Sequence, residues 1–185
     1  MDELKAIQAS QTGDKTAFSE LIEQYYRNIY RYAYHCAGNH QDADDICQET
    51  FLKAFGNIKA LKDVEKFKGW IFRIASNLSR KRIKKMKCEK NVISFTSVDS
   101  LPQGYEGKDL QPYESLFSEE KKRMILKELQ KMPVQVRMAT ILVLIEGQTQ
   151  KETAEILNCS ESTISRDLNT AKNVLRIKLQ KFVSE

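Results

Sequence analysis

Gln148–Leu179 reads QTQKETAEILNCSESTISRDLNTAKNVLRIKL, two helical patterns separated by one sharp bend. Thr149 stands at the N-cap of a short helix whose apolar positions are Ala154, Ile156 and Leu157. Asn158 falls at the bend, where Asn tolerates the left-handed conformation better than most residues with a Cβ. Ser160 caps a second helix, along which Ile164, Leu168, Ala171 and Leu175 recur at helical spacing. Ala154 is small where the helices would cross, and Ile164 faces back into the same core. The pattern is a helix-turn-helix. Its second helix leaves Ser162, Thr163, Ser165, Arg166, Asn169 and Lys172 outward, short polar and basic side chains that reach base edges and phosphates. An αα-hairpin inside a bundle would show the same apolar pattern, so the motif needs independent context.

The context is Arg73–Lys90, RIASNLSRKRIKKMKCEK, with eight Lys or Arg against one Glu. The whole chain of 185 residues carries only +5, so a modest net charge hides a concentrated patch, and concentration is what a polyanion senses. On a helix, Phe67, Trp70, Ile71, Ile74 and Leu78 fall on one side, with Trp70 at the edge of the apolar stripe. Arg73, Asn77, Arg80, Lys84 and Lys87 fall within an arc of roughly 80° beside it, with Lys81 on its flank. A charge run is usually a solvated face stabilised by partners of opposite sign three or four residues away. This run lacks them and predicts an external anion, nucleic acid or alternatively an anionic membrane surface.

Few Gly and Pro (seven and three) in a chain rich in Leu, Lys, Glu, Ala and Ile predict an all-α protein. The breakers organise it. Helical spacing runs over Thr16–Cys36, stops at Asn39 and His40, and resumes over Gln41–Phe55. A loop through Gly56–Lys66 leads to the Trp70 helix. Residues 1–90 are therefore expected to form one small helical domain. Residues 91–117 turn acidic and carry Pro102, Gly104, Gly107 and Pro112, the composition of a flexible linker. Residues 118–185 return to helical spacing, with a stop before Pro133, and end in the helix-turn-helix. No apolar run is long enough to cross a bilayer, and MDELKAIQ has no signal-like core. Four scattered cysteines without a CxxC pair read as reduced thiols in a cytoplasmic protein.

Three blocks, DADDICQETFLKAF (Asp42–Phe55), FKGWIFRIASNLSRKRI (Phe67–Ile83) and MPVQVRMATILVLIEGQTQKETAEILNCSESTISRDL (Met132–Leu168), together resemble a bacterial RNA polymerase sigma factor. The small two-domain build is similar to the extracytoplasmic-function (ECF) group. The resemblance implies a promoter-specificity subunit, with core RNA polymerase and promoter DNA as partners, commonly restrained by an anti-sigma factor that is often membrane-anchored. It implies that Asp45, Gln48, Glu49, Leu52 and Phe55 dock on a coiled coil of the polymerase's large subunit. Arg73, Asn77, Arg80, Lys81 and Lys84 would meet the melted −10 strand, with Asn77 at an extruded base and the loop Ile58–Lys66 walling its pocket. Ser162, Thr163, Ser165, Arg166, Asn169 and Lys172 would read the −35 duplex. Many members carry more Arg between the positions of Ser165 and Lys172, and Asp167 there would repel a phosphate if it faced one. The linker matches a segment that threads the polymerase's channels; Asp99, Glu106, Asp109 and Glu114 either imitate RNA phosphates or merely solvate a tether.

Enzymatic chemistry finds no footing. There is no Gly-rich phosphate loop, Walker pattern or nucleophile elbow, and no cofactor or small-molecule substrate is expected. His35, Cys36, His40 and Asp42 lie close in sequence, but their spacing suits neither a zinc finger nor a two-His helical site, so no metal is expected. The competing class is a free-standing helix-turn-helix regulator of duplex operators, which leaves the acidic Asp42–Glu49 helix and the Arg73–Lys90 helix without a task. A third class is an interaction protein whose DNA module is degenerate.

Overall fold

The computed structural model describes the backbone of residues 2–90 and 119–183 and the side chains of residues 2–86 and 124–178. The linker expected at 91–117, with its four acids, and the side chain of Lys87 lie outside these. The described residues form eight α-helices and no strand: α1 (Glu3–Thr12), α2 (Lys15–Ala37), α3 (His40–Asn57), α4 (Phe67–Lys90), α5 (Glu119–Lys131), α6 (Val134–Leu144), α7 (Gln150–Leu157) and α8 (Glu161–Val183).

The long helix α2 organises the first four. Asp14 caps it by accepting from the backbone N–H groups of Thr16 and Ala17, and Gly38 ends it at φ 84°, a left-handed turn that costs glycine little. Asn39 then caps α3 through Asp42 N–H. Phe18, Leu21, Tyr25, Ile29 and Tyr32 are buried along one stripe of α2, the helical spacing that the sequence displays. Helices α3 and α4 pack on that stripe.

Helix α1 adds to the sequence reading, which finds no signal-like core in MDELKAIQ and begins its helical spacing at Thr16. It buries only Ala6, Ile7 and Ser10. It also holds the chain after α3, because the Gln11 amide donates to Ile58 O at 3.1 Å and Leu61 O at 2.7 Å. The expected loop there is ordered as two 3₁₀ turns, Ile58–Ala60 and Val64–Lys66.

In the second group α6 is the hub. Met138, Ala139, Ile141 and Leu142 are fully buried against α8, α7 and, from the first group, α2. One apolar cluster extends from Ala6 to Ala171. The two groups of helices thus share a core rather than standing apart.

Candidate nucleic-acid interface

The helix-turn-helix forms as its punctuation dictates. Thr149 and Glu152 make a reciprocal capping box at the start of α7, which satisfies two donors that a helix N-terminus leaves free. Asn158 takes φ 54° and ψ 55°, the left-handed bend expected of it. Ser160 Oγ accepts from Thr163 N–H at 3.2 Å to start α8. Ala154, Ile156, Leu157, Ile164, Leu168 and Ala171 are buried between the two helices and α6.

On the outer side of α8, Ser162, Arg166, Asn169 and Lys172 are exposed, while Thr163 and Ser165 are half-buried. The Thr163 hydroxyl lies 2.9 Å from Ser160 Oγ and so belongs partly to the cap. Asp167, the residue that would repel a phosphate, is buried. It faces inward, so the exposed face of α8 carries Arg166 and Lys172 without that opposing carboxylate.

Helix α4 is anchored by Phe67, Ile71, Phe72, Ala75, Leu78 and Ile83, all buried, and by Ser76, whose hydroxyl lies 2.7 Å from Tyr32 OH. Trp70 packs against this core, its ring tilted on Phe67 at 5.8 Å between centroids. Arg73, Asn77, Lys81 and Lys84 are exposed and Arg80 is half-buried. Arg80 Nη1 donates to Asn77 Oδ1 at 3.3 Å. Arg82 leaves this face: it pairs with buried Asp42 on α3 and lies 3.7 Å from Asp45. The cationic strip that remains is narrower than the run of charge suggests.

Helix α3 exposes Asp45, Gln48, Glu49, Leu52 and Phe55 along one edge. Leu52 is 66% exposed and Phe55 39%, although the Phe55 ring touches Phe18 at 5.0 Å. Lone exposed apolar residues are ordinary. Here Leu52 lines a groove between α3 and α4 together with Asp45, Gln48, Glu49, Lys81 and Lys85, an apolar spot rimmed by charge as docking surfaces are.

The would-be metal cluster disperses. Burial pushes the Cys36 thiol up to about 12, His40 Nδ1 lies 2.6 Å from Tyr30 OH, and Asp42 faces Arg82. Among the described residues no group of three or more His, Cys, Asp or Glu is placed to hold a metal, and no helix is long and apolar enough to cross a membrane.

What sequence reading missed is a set of polar residues between the two groups of helices. Arg31 and Glu146, Arg73 and the Glu155 carbonyl, Arg80 and Gln135, and Arg137 and the Cys36 carbonyl are all hydrogen-bonded.

Helical units of this kind, one with a cationic α4 and one with a helix-turn-helix, are those of sigma factors. The sigma-70 region 2 family model matches residues 21–87, and the sigma-70 region 4 model matches residues 122–175. The chain is 30% identical to the ECF RNA polymerase sigma factor SigW of Bacillus subtilis, over 95% of this chain and 96% of that one. It is 28% identical to SigE of Mycolicibacterium smegmatis, over 94% and 67%. Its fold is like that of CnrH, solved in complex with the cytosolic domain of CnrY, with TM-score 0.69, 19% identity and 97% of both chains covered. It is equally like RpoE of Bartonella quintana, solved with the anti-sigma factor NepR, with TM-score 0.69, 23% identity and coverage of 88% and 96%. The chain belongs to the ECF RNA polymerase sigma factors, the promoter-recognising subunits that direct initiation by core polymerase.

Proposed function

We propose that the three exposed surfaces divide the work of initiation. Residues 1–90 form the unit that binds polymerase and the −10 element, 91–117 the linker, and 118–185 the −35 unit. The edge of α3 formed by Asp45, Gln48, Glu49, Leu52 and Phe55 docks on the coiled coil of core polymerase's large subunit. Its apolar pair supplies area and its acids supply register. The α4 strip of Arg73, Asn77, Arg80, Lys81 and Lys84 takes the melted −10 strand. Lys and Arg neutralise phosphates, and Asn77 offers an amide to a base that has left its stack. Ser162, Thr163, Ser165, Arg166, Asn169 and Lys172 read the −35 duplex in the major groove.

The protein itself catalyses nothing; it contributes recognition to the polymerase's chemistry. It works in the cytoplasm and is held by an anti-sigma factor, in keeping with the complexes in which its structural neighbours were solved, at the inner face of the membrane where that factor is anchored there.

The observation that carries this reading is the one-signed strip on α4: Arg82 is neutralised by α3, whereas Lys81 and Lys84 stay exposed. The test is promoter opening by core polymerase with the Arg80→Ala, Lys84→Ala double variant across a salt series. Removing one phosphate neutralisation should flatten the slope by roughly 0.7 for single-stranded DNA, so a change near one unit is expected. An unchanged slope would remove nucleic acid from this face.

A further inference from the structure

The segment between α3 and α4 has little support of its own. Its two 3₁₀ turns, Ile58–Ala60 and Val64–Lys66, belong to a stretch that buries Ile58 and Leu61 and exposes Lys59, Lys62 and Lys66. A 3₁₀ turn makes poorer backbone hydrogen bonds than an α-helix, and a segment with few buried contacts opens at low cost. Support comes from α1. That helix lies against both turns, and half-buried Gln11 gives them both of its amide hydrogens. Gln11 Nε2 donates to Ile58 O at 3.1 Å and to Leu61 O at 2.7 Å, partners 47 and 50 residues further along the chain. Leu61 O belongs to the planar peptide group that joins Leu61 to Lys62, so this bond fixes the plane from which Lys62 departs.

The second turn runs directly into α4 and touches it. Lys66 precedes Arg73 by seven residues and Asn77 by eleven, close to whole helical turns, and so lines up with them along the strip. Its 3.9 Å approach to Asp63 joins two side chains that are both more than half exposed, a pair too weak to hold the ammonium from a phosphate. Asp63 is also engaged in capping the turn through Glu65 N–H, and Glu65 falls about 100° round the axis from Lys66. From Phe67, at the start of α4, Arg73 lies ~9 Å and Asn77 ~15 Å along the axis. A strand of a few nucleotides laid on that face meets the 58–66 loop next.

We infer that Gln11 is a positioning residue for the melted strand: it clamps the 58–66 loop from α1, so that Lys62 and Lys66 carry the phosphate path of the α4 strip past the start of the helix. The inference rests on the assignment of the α4 strip to that strand. A loop that is only partly in its binding conformation binds with an affinity lowered by that fraction, and Gln11 keeps the fraction high without touching DNA itself.

The experiment is promoter opening across a salt series by holoenzyme reconstituted from the full chain and core polymerase. Lys62→Ala should flatten the salt slope by roughly 0.7, the share of one single-strand phosphate contact. Gln11→Met keeps the side chain's size and removes no charge, yet it should flatten the slope by at least about half as much, because Lys62 is no longer held at its phosphate. Adding Gln11→Met to Lys62→Ala should flatten it no further. A purely structural Gln11 would lower the thermal midpoint by circular dichroism and leave the slope alone. Gln11→Ala should repeat the Gln11→Met result and covers the case in which the thioether packs badly. An unchanged slope in both Gln11 variants while Lys62→Ala flattens it, or additive flattening in the double variant, would overturn the positioning role. Lys84→Ala separates the two levels. If Lys84→Ala flattens the slope and Lys62→Ala does not, the loop lies off the path and only this inference is refuted. If neither does, the α4 assignment falls and takes the inference with it.

Discussion

Replacing Asn77 should change which base is preferred at one −10 position, and the structure sets the size of that change. Arg80 can only donate, so its 3.3 Å contact fixes the Asn77 oxygen toward the guanidinium. The amide NH₂ is thereby left to present to a base as a donor pair. Both residues lie on α4, three apart, so the arrangement survives any movement of the C-terminal unit. A side chain that uses its donor group alone falls short of bidentate readout. About 0.5–1.5 kcal/mol is expected for Asn77→Ala, roughly two- to tenfold in preference. Asn77→Asp should be worse, because it replaces the donor with an acceptor and sets a negative charge among phosphates. Arg80→Ala frees the amide to turn and should erode the same preference, so the double variant should lose less than the sum of the singles. The assay is transcription by reconstituted holoenzyme from promoters randomised one −10 position at a time. Parallel weakening at every position, or strict additivity of the two variants, would show that Asn77 contacts backbone or merely packs.

On α8, Arg166→Ala and Asn169→Ala should each cost about 1–3 kcal/mol in binding −35 duplex and matter less on a premelted template. Equal loss on both templates would assign them to folding. At the bend, Asn158→Ala should lower stability by about 1–2 kcal/mol in chemical denaturation, since a left-handed backbone crowds Cβ. Asn158→Gly should leave it within a few tenths; the opposite order would refute the left-handed turn. Burial pushes the thiols of Cys36 and Cys47 up to about 12, while Cys159 is half-exposed. An alkylating reagent at neutral pH should therefore modify Cys159 before either of them, as read by peptide mass mapping. Early labelling of Cys36 would mean that the α2 end is open.

The helix-turn-helix was legible nearly residue by residue because its signals are local. Thr149, Asn158 and Ser160 act on backbone groups within four residues of themselves, so composition and spacing suffice. The stripe on α2 was legible for the same reason. Helix α1 was not, because three small buried contacts leave little periodicity in ten residues. The α4 run gave its sign and its face, but not the diversion of Arg82 to Asp42. Those two residues are forty positions apart, and no spacing rule links them. The inward turn of Asp167 was readable in principle: it precedes Leu168 and follows Ile164 by three, at the edge of the buried stripe of α8.

The contact between the two units left a trace in the sequence, in α6. Val134–Leu144 reads VQVRMATILVL, apolar on nearly every side, and a helix apolar all round must be covered all round. Helices α7 and α8 cover only part of it; α2 covers the rest. A two-unit chain containing such a helix is therefore incomplete when its second unit stands alone. Arg137 sharpens the point. A guanidinium within a buried helix is tolerable only where acceptors surround it, and Gln130 and Met132 of its own unit supply carbonyls that it uses. Of the two acceptors on its Nη1, the Gln130 side-chain oxygen belongs to its own unit and Cys36 O to the end of α2. Opening the molecule leaves Arg137 one acceptor short and bares an apolar side of α6, both of which water or a protein partner must then satisfy. The packing of the second unit on α2 is thus favoured by the composition of α6 itself.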